Sequence, residues 1–188
     1  ISCVSNEVGG NLVGNARCLG IRLDDLVNEA SPLSSADQVM GHSSDGFTAG
    51  FPLAALDGRD AMIAIGMNGE LLPVDHGFPA RIIVPGLYGY VSATKWLTRI
   101  ELTRFDKAEG YWIPRGWSAQ APIKTSSRID TPFDGSSAKA GKRAIAGVAW
   151  APTRGISKVE VRVNNSAWRT ATLGPALAKT TWRQWWID

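Results

Sequence analysis

At 188 residues, 44% of them hydrophobic, the chain has enough apolar content to pack one medium domain or two small ones. Its net charge is only +3 and no long single-sign block appears, so no nucleic-acid partner is expected. No apolar run is long enough to cross a bilayer and no signal-peptide pattern opens the chain, while Cys3, Cys18, His42 and His76 match neither a disulfide framework nor a zinc spacing.

Residues 1–4 read as a short apolar strand that runs into a turn at Gly9-Gly10. Next, IRLDDLVNEA (21–30) places apolar residues three and four apart before Pro32, which predicts a short amphipathic helix. PLAAL (52–56), with Pro at its first turn and Asp57-Gly58 behind it, predicts a second. MIAIGM, Asn68-Gly69 and ELL predict a hairpin, because Asn-Gly accepts the two positive φ angles of a type I′ turn. Residues 81–84, between Pro79 and Pro85, form a buried strand, and 96–105 alternates faces as a half-buried one. From 119 to about 141 the composition shifts to Pro, Ser, Lys and Gly, which marks a linker and a domain boundary. Beyond it, 144–150, 158–163 and 168–173 read as short strands separated by turn clusters, the start of a β-sandwich. The last residues, WRQWWID, stop within a strand-like aromatic run. Together with the abrupt start, this leads us to expect a fragment of a longer protein, with strand edges and Trp side chains left uncovered.

Cys3 stands where an apolar run passes into a polar, Gly-rich turn. A cysteine in such a run is most often a small buried hydrophobe, while a thiolate beside an open turn suits a soft or high-valent metal. Both readings stand on position alone. The densest polar constellation is NGELLPVDHGFPARIIVPG (68–86). Either His76 caps a loop and Arg81 pairs with Asp75, or His76 and Arg81 form an anion site on a rigid Pro-bounded loop, since guanidinium grips phosphate in a bidentate manner.

The string MNGELLPVDHGFPARIIVPGLYGYVSATKWL (67–97) is similar to the signature of the sulfite oxidase superfamily of molybdopterin enzymes, close to MNG-x-x-LP-x-DHGFP-x-R-x-x-VPG with a downstream KWL. ISCVSN falls where that family carries its molybdenum-ligating cysteine, and NARCLGIRLDDLVNEA (15–30) resembles the segment that follows. The resemblance implies an α+β, mostly β molybdopterin-binding oxidoreductase domain at 1–121, its N-terminal part missing. After it comes a truncated immunoglobulin-like β-sandwich at 122–188, its first strands matched by AWAPTRGISKVEVRVNNSAW (149–168). It further implies two-electron oxygen-atom transfer at molybdenum, with Cys3 as the protein ligand and the cofactor carrying the hard chemistry. His76 and Arg81 would contact the phosphate or pterin of the cofactor, with Arg17, Ser92 and Lys95 as further candidates.

Two departures follow from the same resemblance. The family's pocket tyrosine, in a Tyr-Gly-Ala-Ser-Ile-Pro-Leu run, is matched by Phe47 in FTAGFPL; without a hydroxyl, Phe47 cannot hydrogen-bond a sulfite oxygen. Arg154 is the nearest counterpart of an arginine that the C-terminal domain brings to the anion pocket, and is otherwise a solvated turn residue. Cys18 takes a position commonly aromatic in related sequences, which favours packing over redox chemistry. His42 reads as a loop-edge histidine or as a lining of the substrate pocket, and Trp112 and Trp117 as flanks of a cofactor or partner surface. The expected partners are a small oxyanion or an S- or N-oxide substrate, a separate electron carrier, and a second copy bound through the C-terminal domain. The parent protein is expected outside the cytoplasm or at a membrane, the fragment itself soluble. Reduction of a sulfoxide or N-oxide, and a fragment without cofactor or catalysis, are the alternatives to sulfite-oxidase-type activity.

Overall fold

The computed structural model describes residues 1–137 and 139–188. The chain divides into two compact units, one of Ile1–Asn6 and Leu12–Pro122, the other of Glu7–Asn11 and Ile123–Asp188. Both are mostly β, with few helices.

The first unit is built on two antiparallel sheets. In one, β4 (Met62–Met67) is flanked by β1 (Cys18–Arg22) on one side and shares the other between β5 (Glu70–Leu71) and β6 (Arg81–Ile83). The β4–β5 turn is the predicted hairpin, with Met67 opposite Glu70 and positive φ angles at Asn68 and Gly69. In the other, β2 (Gln38–Ser43) lies between β3 (Thr48–Pro52) and β7 (Leu97–Thr103). As the middle strand, β2 is buried along almost its whole length. Gly41 lets the sheets close on each other: a Cβ there would come within 2.8 Å of Ile82 Cδ1, from β6, and 2.6 Å of Thr94 Oγ1. Leu23, Val39, Phe51, Ile82 and Val91 form the core of this unit, each buried large side chain worth about 1.5–3 kcal/mol.

The helix predicted at 21–30 is shorter, α1 (Leu23–Glu29), because Ile21 and Arg22 are drawn into β1 by pairing with Ile63 and Met62. Leu23 and Val27 face inward one turn apart, and Asp24 and Asp25 sit in the first turn, where the helix dipole favours them. The predicted helix at 52–56 is a single 3-10 turn, Leu53–Ala55, behind a proline that still belongs to β3. Residues 1–4 make no strand but one isolated bridge, Ser2 with Val13.

The second unit holds a four-stranded antiparallel sheet in the order β12 (Thr172–Leu173), β13 (Arg183–Ile187), β9 (Ile145–Trp150), β8 (Ser126–Thr131), and a separate pair, β10 (Glu160–Val161) with β11 (Arg169–Thr170). Ala149, Val161, Ala171 and Trp185 form its small core. The stretch predicted as a linker at 119–141 therefore contains a strand, β8, which pairs with β9 through a register shift at Asp130; Ala138 within that stretch lies outside the described residues. The aromatic run at 182–188 is an inner strand, with Trp185 only 2% exposed, so the uncovered Trp expected there is found at Trp186 and not at Trp185. Among the described residues, no helix is long and apolar enough to cross a membrane.

Candidate functional site

The loop between β5 and β6 is held by the segment before β7. Trp96 Nε1 donates to Val74 O at 2.8 Å and Lys95 Nζ to Asp75 O at 2.9 Å, while the Leu97 and Ile82 amides reach Ala80 O and Thr94 O, each at 2.9 Å. Gly77 makes this closeness possible. Its φ is +107°, and a Cβ would stand 3.0 Å from Lys95 Cβ and 3.2 Å from Arg81 Cβ. His76, Arg81 and Lys95 are thus brought together in one place.

Arg81 opens β6 and is only 9% exposed. Its Nη1 donates to His76 O at 3.0 Å and its Nη2 to Ala93 O at 3.4 Å, while Nε is buried with no partner. The Asp75–Arg81 pair, one of the two readings of this loop, is not among the ion pairs of the described residues. Arg22, Arg59, Arg99, Arg104 and Arg128 each meet a carboxylate; Arg81, like the exposed Arg17, Arg115 and Arg154, meets none among the described residues, and it differs from them in being buried. Burial of a cation costs several kcal/mol unless opposite charge or hydrogen bonds offset it. Burial also pushes the Arg81 pKa below its ordinary value. One of its donors, Nε, is left buried without a partner among the described residues.

The other predicted residues surround this centre unevenly. Ser2 O accepts the Gly89 amide at 2.9 Å, which seats the segment holding Cys3 at the start of α2 (Gly89–Ser92). The Cys3 amide donates to Leu12 O at 2.9 Å, its carbonyl accepts from Asn6 N at 3.2 Å, and its thiol is free and partly exposed. Ser92 is buried, with its hydroxyl directed at Leu87 O and Tyr88 O, so its proton is engaged by the carbonyls just before α2. Arg17 is exposed beside the hairpin turn: its amide donates to Asn68 Oδ1 at 3.0 Å, and its carbonyl accepts the Asn68 amide at 2.8 Å. Arg154 lies in the second unit, exposed on a turn, where Nη2 donates to Thr125 Oγ1.

Phe47 closes the β2–β3 turn, with its amide held by Asp45 Oδ1 at 3.0 Å and its ring 5.7 Å from that of Tyr111. From there an aromatic run continues through Trp112 and Trp117 to Tyr90 on α2, with neighbouring ring centroids 5.2–6.2 Å apart. His42 is not free to act alone, because Nε2 lies 3.0 Å from Glu101 Oε2 and 3.1 Å from Arg99 Nη2 across the β2–β7 register. Cys18, expected from the sequence to serve packing, and Tyr111, which carries no sequence signal, also belong to these surroundings. Cys18 is close enough to Arg81 for their charges to interact, and burial outweighs that cation in raising its thiol pKa. Tyr111 was passed over because its position against β3 comes from a loop docking on a strand edge, which leaves no periodic trace.

The unit is mostly β with few helices, as in a sulfite-oxidase-like fold. The chain belongs to the oxidoreductase molybdopterin binding domain family, whose model matches residues 1–112, and is a sulfite oxidase superfamily molybdopterin oxidoreductase by its relatives and fold. It is 28% identical over 206 residues to human mitochondrial sulfite oxidase, covering 92% of this chain and 37% of that protein. It is 35% identical over 98 residues to the uncharacterized oxidoreductase YuiH of Bacillus subtilis, covering 52% of this chain and 48% of YuiH. The sulfane dehydrogenase SoxCD from Paracoccus pantotrophus superposes with a TM-score of 0.79 at 27% identity, over 100% of this chain and 55% of that one. The chain thus spans less than half the length of these curated relatives.

Proposed function

We propose that the first unit contributes the protein half of a molybdenum cofactor site used for two-electron oxygen-atom transfer. The observation that carries this reading is Arg81, a buried guanidinium with an orphaned Nε and, among the described residues, no carboxylate, which fits the anionic phosphate of molybdopterin. His76 and Lys95 flank it, and Cys3 on its anchored turn would supply the thiolate ligand. When bound, the cofactor supplies the redox chemistry, while these residues bind it, orient it and exclude water. One protein thiolate is enough, because the dithiolene of the pterin completes the sulfur donors.

We infer that the second unit is the immunoglobulin-like β-sandwich through which such chains pair, a reading supported by its antiparallel sheet and second strand pair around one small core. Electrons would leave to a separate carrier. The absent hydroxyl at Phe47 permits a second reading, reduction of a sulfoxide or N-oxide at the same centre.

The test is molybdenum and pterin content of the full-length protein from a host that makes the cofactor, beside Cys3→Ser. Near-stoichiometric cofactor in the wild type, with loss of the molybdenum–thiolate absorption in Cys3→Ser, is expected. No cofactor in the wild type would instead mean a retained scaffold without catalysis. With cofactor present, assays of sulfite oxidation and sulfoxide reduction decide the direction.

A further inference from the structure

Strand β3 is an edge strand, and the segment at Gly110-Tyr111 lies along its free side. The Tyr111 amide donates to Thr48 O at 2.9 Å. Gly110 is buried there, and a Cβ would stand 3.1 Å from Gly50 N and 3.4 Å from Ala49 Cα, so only glycine allows the approach without a shift. This docking fixes Tyr111 beside Phe47.

The Tyr111 side chain is held on more than one side. Arg115 Cζ lies 3.7 Å from its ring centroid, with Nη1 donating to Tyr111 O, and Trp112 packs edge-on at 5.2 Å. Gly116, with φ +91°, ends the 3-10 turn that carries Arg115 and folds Trp117 back onto Trp112. A stacked guanidinium of this kind is pre-organised, so little further entropy is lost when it binds a ligand. Tyr111 remains 42% exposed, and its hydroxyl has no hydrogen-bond partner among the described residues. Arg115 likewise meets no carboxylate there. Among the described residues, a phenol without a hydrogen-bond partner and a guanidinium without a carboxylate, its Nη1 held by Tyr111 O, therefore stand together next to Phe47.

We propose that Tyr111 and Arg115 bind a small oxyanion beside Phe47, with Tyr111 supplying the hydroxyl that Phe47 lacks. This rests on the reading of Phe47 as a lining of the substrate pocket, and it selects charged oxyanions over neutral sulfoxides or N-oxides. A phenol can donate to one anion oxygen while the guanidinium donates to others, and removing a hydrogen bond to a charged group costs about tenfold or more in affinity.

The test uses the full-length protein with its cofactor and sulfate as an unreactive probe, titrated by the fluorescence of the tryptophans next to Tyr111. The variants are Tyr111→Phe, Arg115→Gln, and Tyr111→Phe combined with Phe47→Tyr; Tyr90→Phe, whose hydroxyl is tied to Ser118 O, controls for the loss of a phenol elsewhere. Tyr111→Phe and Arg115→Gln are each expected to weaken sulfate about tenfold, the Phe47→Tyr combination to recover most of the loss, and Tyr90→Phe to leave the affinity alone. Molybdenum content should be equal in all. No sulfate binding by the wild type, a Tyr111→Phe affinity within about twofold of it, or no recovery in the double variant would overturn the proposal while leaving the cofactor reading in place. A wild type without molybdenum would overturn the cofactor reading instead, and this proposal with it.

Discussion

Two arginines that the sequence singled out for anions sit in opposite surroundings. Arg81 is buried in the first unit, satisfied in part by backbone carbonyls and by no carboxylate. Arg154 is exposed on a turn of the second unit, where its Nη2 donates to the Thr125 hydroxyl. The contrast teaches that residue type and motif position are not enough. What marks an anion site is a charge held where its solvation has been removed and not replaced. Arg81 meets that condition within its own unit; Arg154 does not.

The glycines beside the two arginines sharpen the contrast. Both Gly77 and Gly155 have positive φ, at 107° and 80°, but a Cβ on Gly77 meets Lys95 and Arg81 atoms at 3.0–3.2 Å, while one on Gly155 meets only Lys179 Cγ at 3.9 Å. Gly77→Ala is expected to cost about 2–4 kcal/mol, from backbone strain and the clash together, and Gly155→Ala about 1 kcal/mol from the backbone alone. Denaturant unfolding of the two variants checks this. Equal costs would mean that the loop around Arg81 is no more tightly built than the turn around Arg154.

A smaller effect is expected from Cys18. Burial holds its thiol pKa above the ordinary value of 9.0, against the opposing pull of Arg81. The folded chain therefore keeps this proton to higher pH than the unfolded one. The stability that follows is full below pH 9.0 and is lost as pH rises through the folded pKa. Cys18→Ala should flatten the alkaline side of the stability profile and leave the neutral region nearly unchanged. An unaltered alkaline slope would show that the thiol does not titrate in these surroundings.

Much of the first unit was legible because its signals are local. Asn68-Gly69 dictates a hairpin by its φ angles, the alternation around Arg99 to Thr103 marks a strand, and the DHGFP loop with its following arginine is a contiguous string. The boundaries of α1 were misjudged because strand pairing with β4 overrode the helical period at Ile21 and Arg22. Strand β8 was hidden in a Ser- and Lys-rich stretch because its pairing with β9, not its own composition, makes it a strand. The orphaned Nε of Arg81 and the docking of Tyr111 on β3 are tertiary facts, created by which loops meet. No period or motif in the chain announces either.

The most direct test of the central claim compares Arg81→Met with the wild type and Arg154→Gln, reading molybdenum and pterin content per chain together with the stability of the cofactor-free protein. If Arg81 is a buried cation waiting for an anion, Arg81→Met should lose most of the cofactor. Its cofactor-free stability should nevertheless stay within about 1 kcal/mol of wild type, since replacing an uncompensated buried charge with an apolar side chain removes a penalty. Arg154→Gln should keep its full cofactor content. Full cofactor content in Arg81→Met, or a loss of about 3–5 kcal/mol in its cofactor-free form, would show instead that Arg81 is a structural element of the loop and contradict the account.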